Sequence, residues 1–260
     1  MSLVSVQNLT RVFDVSKPWL NRVIERLPKR MLTAVSDVSF EIPARTTYAL
    51  VGESGSGKST IGKMVVGLLR PTEGHVEIEG VDLVTETDAA VIDRIRSDIQ
   101  MIFQDPFASL NARWRVRDII VEPVAARGGD TGGLAEKLLT QVGLSPDDAG
   151  KYPHQFSGGQ RQRICVARAL ASEPKLIVCD EPTSALDVSV QAQVLNLMSD
   201  LKDEHGLTYL FISHDLRVVR AMSHKVMVMK RGDVIEYGPV DDLYDNPQTD
   251  YTRKLLQAAG

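Results

Sequence analysis

The sequence predicts an α/β fold: buried strands and covering helices, interrupted by a mainly helical insertion. Three observations carry this. First, the apolar run Tyr48-Ala49-Leu50-Val51 leads into Gly52-Glu53-Ser54-Gly55-Ser56-Gly57-Lys58-Ser59-Thr60 and then into the stretch 61–69, which reads as a helix. Second, the apolar runs at 99–103, 176–179 and 208–212 read as buried strands, ending on Gln104, on Asp180-Glu181 and on Ser213-His214-Asp215. Third, residues 105–156 change character: Asp118-Ile119-Ile120-Val121, a glycine-rich loop and a helical run read together as a mainly helical subdomain between two halves of the core.

The composition bounds the function. A chain of 260 residues holds one large α/β domain or two small ones. With 43% apolar and 25% charged residues, an ordinary soluble core is expected. A net charge of −4 gives no global pull toward nucleic acid or anionic membrane. Cys165 and Cys179 sit among apolar neighbours without C-x-x-C spacing, so they read as reduced, buried thiols of a reducing compartment. Nothing at the N-terminus reads as a signal peptide, and no run approaches the roughly 18 apolar residues of a bilayer span. Any service to a membrane would go through a partner.

In chain order, Leu3-Val4-Ser5-Val6-Gln7-Asn8-Leu9 alternates as a strand, and Phe13 follows. On spacing, Phe13 reads as a strand-end core residue, with stacking on a nucleobase as the other reading. In 17–30, Trp19, Leu20, Val23, Ile24 and Leu27 recur at helical spacing among Arg22, Arg26, Lys29 and Arg30. This basic amphipathic element either packs on its own domain or meets a partner or membrane surface. A second strand is expected at 34–42 and another at 75–80, after the strand 48–51, and both 34–42 and 75–80 are followed by a turn. The glycine-rich loop 127–133 precedes a helical run at 134–142. Ser157-Gly158-Gly159-Gln160 opens a helix over 161–171, and further elements are a helix at 188–201, a strand at 225–229, an edge strand and a terminal helix.

The chemistry gathers at the glycine-rich turn. Its glycines let several backbone N–H groups aim at one point, and the following helix adds its positive end. Lys58 supplies a charge for β- and γ-phosphates and Ser59 a hydroxyl for Mg²⁺. Asp180 fits a water-mediated Mg²⁺ role, and Glu181 can polarise the water that attacks the γ-phosphate. Gln104 can contact both Mg²⁺ and that water, and His214 can bond the γ-phosphate. All stand at strand ends, where open α/β sheets bind ligands. Ser157, Gly158, Gly159 and Gln160 form a second anion-binding device, or simply a well-capped helix. Dimerisation would let each chain's Ser157 loop close on the other's nucleotide.

These residues resemble the nucleotide-binding subunits of ATP-binding cassette (ABC) transporters over nearly the whole chain. Residues 52–60 look like their Walker A motif, Gln104 like the Q-loop, Phe156-Ser157-Gly158-Gly159-Gln160 like the signature, with Phe156 where Leu is usual. Leu176 to Glu181 looks like Walker B, Ser184-Ala185-Leu186-Asp187 like the D-loop, and His214 like the switch histidine. Phe13 falls where the family's adenine-stacking aromatic lies, which favours stacking. The resemblance implies a P-loop NTPase core with an antiparallel β subdomain (1–104 and 157–240), a helical subdomain at 105–156 and a helical tail at 241–260.

A closer similarity is to the ATPases of bacterial dipeptide and oligopeptide importers, carried by 51–60, Phe103-Gln104-Asp105-Pro106-Phe107-Ala108-Ser109-Leu110-Asn111, 181–190, Asn246-Pro247 and Tyr251-Thr252. Departures are Ala112 where Pro is usual, Pro43-Ala44-Arg45 for a Gly-Glu turn, and Thr249-Asp250 for His-Pro. The resemblance implies ATP and Mg²⁺, a peripheral place on the cytoplasmic face of the inner membrane, two multi-span permease subunits and, indirectly, a solute-binding receptor. Segment 17–30 is more like one of the two usual ATPases, which points to a heterodimer, with a homodimer as the alternative. The cysteine-rich tail of some relatives is absent, so no iron–sulfur cluster is expected. The rival reading is a soluble cassette ATPase acting on nucleic acid. It would call for two cassettes in one chain or a long coiled-coil insertion, and a basic footprint.

Overall fold

The computed structural model describes residues 2–17, 19, 21–22 and 28–259. Two sheets organise it. The smaller is antiparallel, in the order β2-β1-β4-β5, built from β1 (Ser2–Asp14), β2 (Met31–Pro43), β4 (Glu73–Ile78) and β5 (Val81–Asp82). The larger has the order β10-β9-β3-β8-β7-β6. Its members are β3 (Thr47–Val51), β6 (Ile99–Ile102), β7 (Leu176–Asp180), β8 (Thr208–Ile212), β9 (Lys225–Lys230) and β10 (Asp233–Pro239). Strands β6, β7, β8, β3 and β9 pair in parallel, and β10 closes one edge antiparallel.

The inner strands are unbroken apolar runs because both faces are covered. Tyr209 and Phe211 of β8 enter one core, while Leu210 and Ile212 enter another. Ile177 and Cys179 of β7 follow the first pattern, and Leu176 and Val178 the second. The second core also holds Leu3, Val4, Val6 and Leu9 of β1, together with Ile61, Met64 and Val65 of α1 (Lys58–Val65), so the small sheet packs over the loop helix. A third core joins β3 and β9 to helices near the C-terminus.

Helix α1 stops earlier than the expected 61–69. Gly67 takes φ 72°, its N–H donates to Met64 O at 3.0 Å, and Leu68 N–H donates to Lys63 O at 2.9 Å. That is a Schellman ending, which needs the left-handed residue glycine supplies. Next comes a helix absent from the expectations, α2 (Ala89–Asp98), capped by the Asp88 carboxylate. From 105 to 156 the described elements are α3 (Pro106–Ser109), α4 (Val116–Ala125), α5 (Leu134–Gln141) and two 3-10 turns. The remaining helices are α6 (Gly158–Leu170), α7 (Val188–His205), α8 (Leu216–Met222), α9 (Val240–Asp245) and α10 (Asp250–Ala259). Of the basic amphipathic element at 17–30, Trp19 is exposed, and most of its apolar stripe lies outside the described residues. Among the described residues no helix is long and apolar enough to cross a membrane.

Candidate functional site

A cleft of about 700 Å³ runs along the C-terminal ends of the parallel strands. Phe13, Leu32 and Ala34 of the small sheet line one part, residues 54–60 the loop side, and Gln104, Glu181 and His214 the remaining wall. Strand order explains the convergence. Gln104 follows β6, Asp180 ends β7, Glu181 comes next, and His214 follows β8; these strands are adjacent and in parallel register, with Ile102 opposite Cys179 and Asp180 opposite Ile212.

The loop 52–57 links β3 to α1. Gly57 takes φ 106°, and a Cβ there would stand 2.3 Å from Ala34 O, so the turn has no room for a side chain. The buried Lys58 ammonium donates to Gly52 O at 2.7 Å, Glu53 O at 2.9 Å and Ser56 Oγ at 3.3 Å. Burial lowers its pKa, while the Glu181 and Asp180 carboxylates act in the opposite sense.

Ser59 Oγ donates to Asp180 Oδ1 at 2.7 Å. Burial raises the Asp180 pKa, against the Ser59 bond and the Lys63 and Lys58 charges, with Glu181 adding to the rise. The Ser59 hydroxyl, the Asp180 carboxylate and the Gln104 amide oxygen are hard donors and few in number; such a set suits Mg²⁺, which keeps waters and phosphate oxygens in its shell.

Glu181 sits at φ 48°, a left-handed conformation unusual outside glycine, with its N–H donating to Ile212 O at 2.9 Å. Its carboxylate is held by two side chains at one oxygen. Gln104 Nε2 donates to Oε2 at 3.1 Å, and His214 Nδ1 lies 3.0 Å from the same atom. A carboxylate oxygen accepts, so His214 donates through Nδ1, and the imidazole lines the cleft.

Phe13 is half-buried and sits in the cleft wall, outside the buried cores. Arg11 Cζ stands 4.6 Å from its ring centroid. The strand-end core reading of Phe13 therefore gives way to a ring facing the cleft. Leu32 and Ala34 were not foreseen as lining residues; they belong to β2, and only its pairing with β1 brings them beside Phe13.

The Ser157 loop is not among the cleft's lining residues. Ser157 Oγ accepts from Gln160 N–H at 3.3 Å and Gln160 Oε1 accepts from Ser157 N–H at 3.0 Å, a capping box at the start of α6. A Cβ on Gly159 would stand 2.3 Å from Val190 Cγ1, so Gly159 also lets α7 approach. Within one chain these residues cap and pack a helix.

A family model described as "ABC transporter" matches residues 35–184. The "Oligopeptide transport ATP-binding protein AppF" of Bacillus subtilis is 51% identical over 229 residues, covering 86% of this chain and 70% of its own length. The "Glutathione import ATP-binding protein GsiA" of Pectobacterium atrosepticum is 46% identical over 260 residues, covering 98% of this chain. The chain spans only 41% of that relative's length. Among solved structures, the dimeric post-hydrolysis state of the ATP-binding cassette MJ0796 bound to ADP and Pi superposes with a TM-score of 0.77 at 28% identity, over 91% of this chain and 98% of that one.

Proposed function

The chain belongs to the ABC transporter family and has its cassette fold, and from that premise we propose that it is the ATP-hydrolysing, energy-coupling subunit of a bacterial importer for peptides or related small solutes. One observation carries the hydrolytic part: the Glu181 carboxylate, fixed by Gln104 and His214, shares a cleft with the Lys58 loop.

In the proposed reaction, ATP lies with its base against Phe13 and its phosphates in the loop 52–60. The N–H groups of the loop and the Lys58 ammonium hold the β- and γ-phosphates. Ser59, Asp180 and Gln104 would hold Mg²⁺, which offsets phosphate charge when bound. Glu181 accepts a proton from the attacking water through Oε1, since both described hydrogen bonds fall on Oε2. The water oxygen bonds to the γ-phosphorus, the bond to the bridging oxygen breaks, and that oxygen leaves with ADP. With both ring nitrogens protonated, His214 donates from Nδ1 to Glu181 and from Nε2 to a γ-phosphate oxygen.

The same reading takes a second cassette, in a heterodimer, to bring its own Ser157 loop over this chain's nucleotide. It assigns 105–156 and the Gln104 region to contact with two membrane permease subunits, served by a solute receptor, at the cytoplasmic face of the inner membrane. Relatives named for glutathione and oligopeptide import support that assignment.

The test of the hydrolytic claim is Glu181→Gln. The amide keeps shape and hydrogen bonds but cannot take the proton, so phosphate release should fall by about 10²–10⁴-fold while ATP binding persists. A phosphate-release rate near that of the unmodified chain would remove Glu181 from the role of base.

A further inference from the structure

We infer that Arg11 is a positioning residue for the nucleobase: its guanidinium backs the Phe13 ring and fixes the plane on which the base stacks. This rests on the reading of Phe13 as the base platform.

Arg11 and Phe13 lie two positions apart on β1, and Arg11 Cζ is 4.6 Å from the ring centroid. Phe13 lines the cleft and Arg11, over its ring, does not, so the guanidinium lies on the ring face turned away from the cleft. Its Nη1 donates to the Arg70 carbonyl at 2.7 Å. Its Nε is buried without a hydrogen-bond partner among the described residues. The guanidinium is thus committed to one ring face and one carbonyl.

That carbonyl belongs to a strap. Thr72 N–H donates to Thr10 O at 2.8 Å, and Thr72 Oγ1 accepts from Val12 N–H at 3.1 Å. Residues 70–72 follow the end of α1, so the end of β1 is tied to the segment that leaves the phosphate-loop helix. Arg11 transmits this anchorage to the ring. A phenyl ring at a strand end has broad freedom about its outer torsion, and stacking a base on it would cost that freedom. A planar cation on the rear face orders the ring beforehand. Partly exposed cation–π contacts correspond to a factor of about two to five in an equilibrium constant.

The experiment measures displacement of a fluorescent nucleotide by ATP and by inorganic tripolyphosphate, both with Mg²⁺. It compares the unmodified chain with Arg11→Ala, Arg11→Met, Phe13→Ala and the R11A/F13A pair. Methionine keeps a long stem against the ring and guards against a folding defect. Loss of the Arg11 guanidinium should weaken ATP binding about two- to fivefold, leave tripolyphosphate unchanged, and add nothing once Phe13 is gone. If Phe13→Ala weakens ATP but Arg11→Met does not, the proposal falls and the platform reading stands. If Phe13→Ala leaves ATP affinity intact, the platform reading falls and takes the proposal with it. Equal weakening of both ligands, or a full Arg11 effect in the Phe13→Ala background, would also overturn it.

Discussion

Lys58 lines the cleft and Asp180 stands behind it, bonded to Ser59, and burial opposes both charges. For Asp180 burial wins, and its pKa lies above the usual aspartate value. Between the usual and the raised value, the folded chain holds a proton that the unfolded chain has lost. Stability from this group is therefore present below the unfolded value and falls as pH rises through the folded one. Asp180→Asn keeps an acceptor for the Ser59 hydroxyl and removes the buried charge. The nucleotide-free variant should melt above the unmodified chain near neutral pH, with the gap closing as the medium approaches the aspartate range of about pH 4. A lower melting temperature at neutral pH would mean that attraction to Lys58 outweighs burial. At this scale the sequence placed Gln104, Asp180, Glu181 and His214 at strand ends, because each follows an apolar run. The sharing of one Glu181 oxygen by Gln104 and His214 was hidden, since it depends on the register of β6, β7 and β8. The φ of 48° at Glu181 was equally invisible: it is imposed by the chain around it, not by a glycine.

Among the elements, the strands were the most legible. The expected 208–212 coincides with β8, and 176–179 falls one residue short of β7, because two-sided burial writes itself as an apolar run. Helices α2 and α8 were missed, although Asp88 and Asp215 signal both starts by capping their first turns. Helix α2 buries only Ile95 fully, so its apolar stripe is thin. The glycines divide by what surrounds them. Gly57→Ala places a Cβ against a backbone carbonyl at a left-handed φ, and should destabilise the fold by about 2–4 kcal/mol in urea unfolding. Gly159→Ala meets only the Val190 side chain, which can shift, and should cost about 1–3 kcal/mol as overpacking between α6 and α7. If Gly159→Ala unfolds at the same urea concentration as the unmodified chain, close α6–α7 packing is not what that glycine provides.

At the scale of the whole molecule, the loop 54–60 lines the cleft, and the capped helix start at Ser157 is not among its described lining residues. The β and α layers that place the cleft could be read from hydrophobic runs; the antiparallel sheet beside it came from family resemblance, because its strands pair only through contacts distant in sequence. The importer reading adds partners that no single chain contains. Its most direct test is purification of the tagged chain from native membranes, with the co-purifying proteins identified. The account predicts two multi-span membrane subunits and a second cassette ATPase in fixed proportion, joined by a solute receptor. Recovery with nucleic acid or with soluble proteins alone would contradict it, leaving an ATPase chemistry without a transporter to drive.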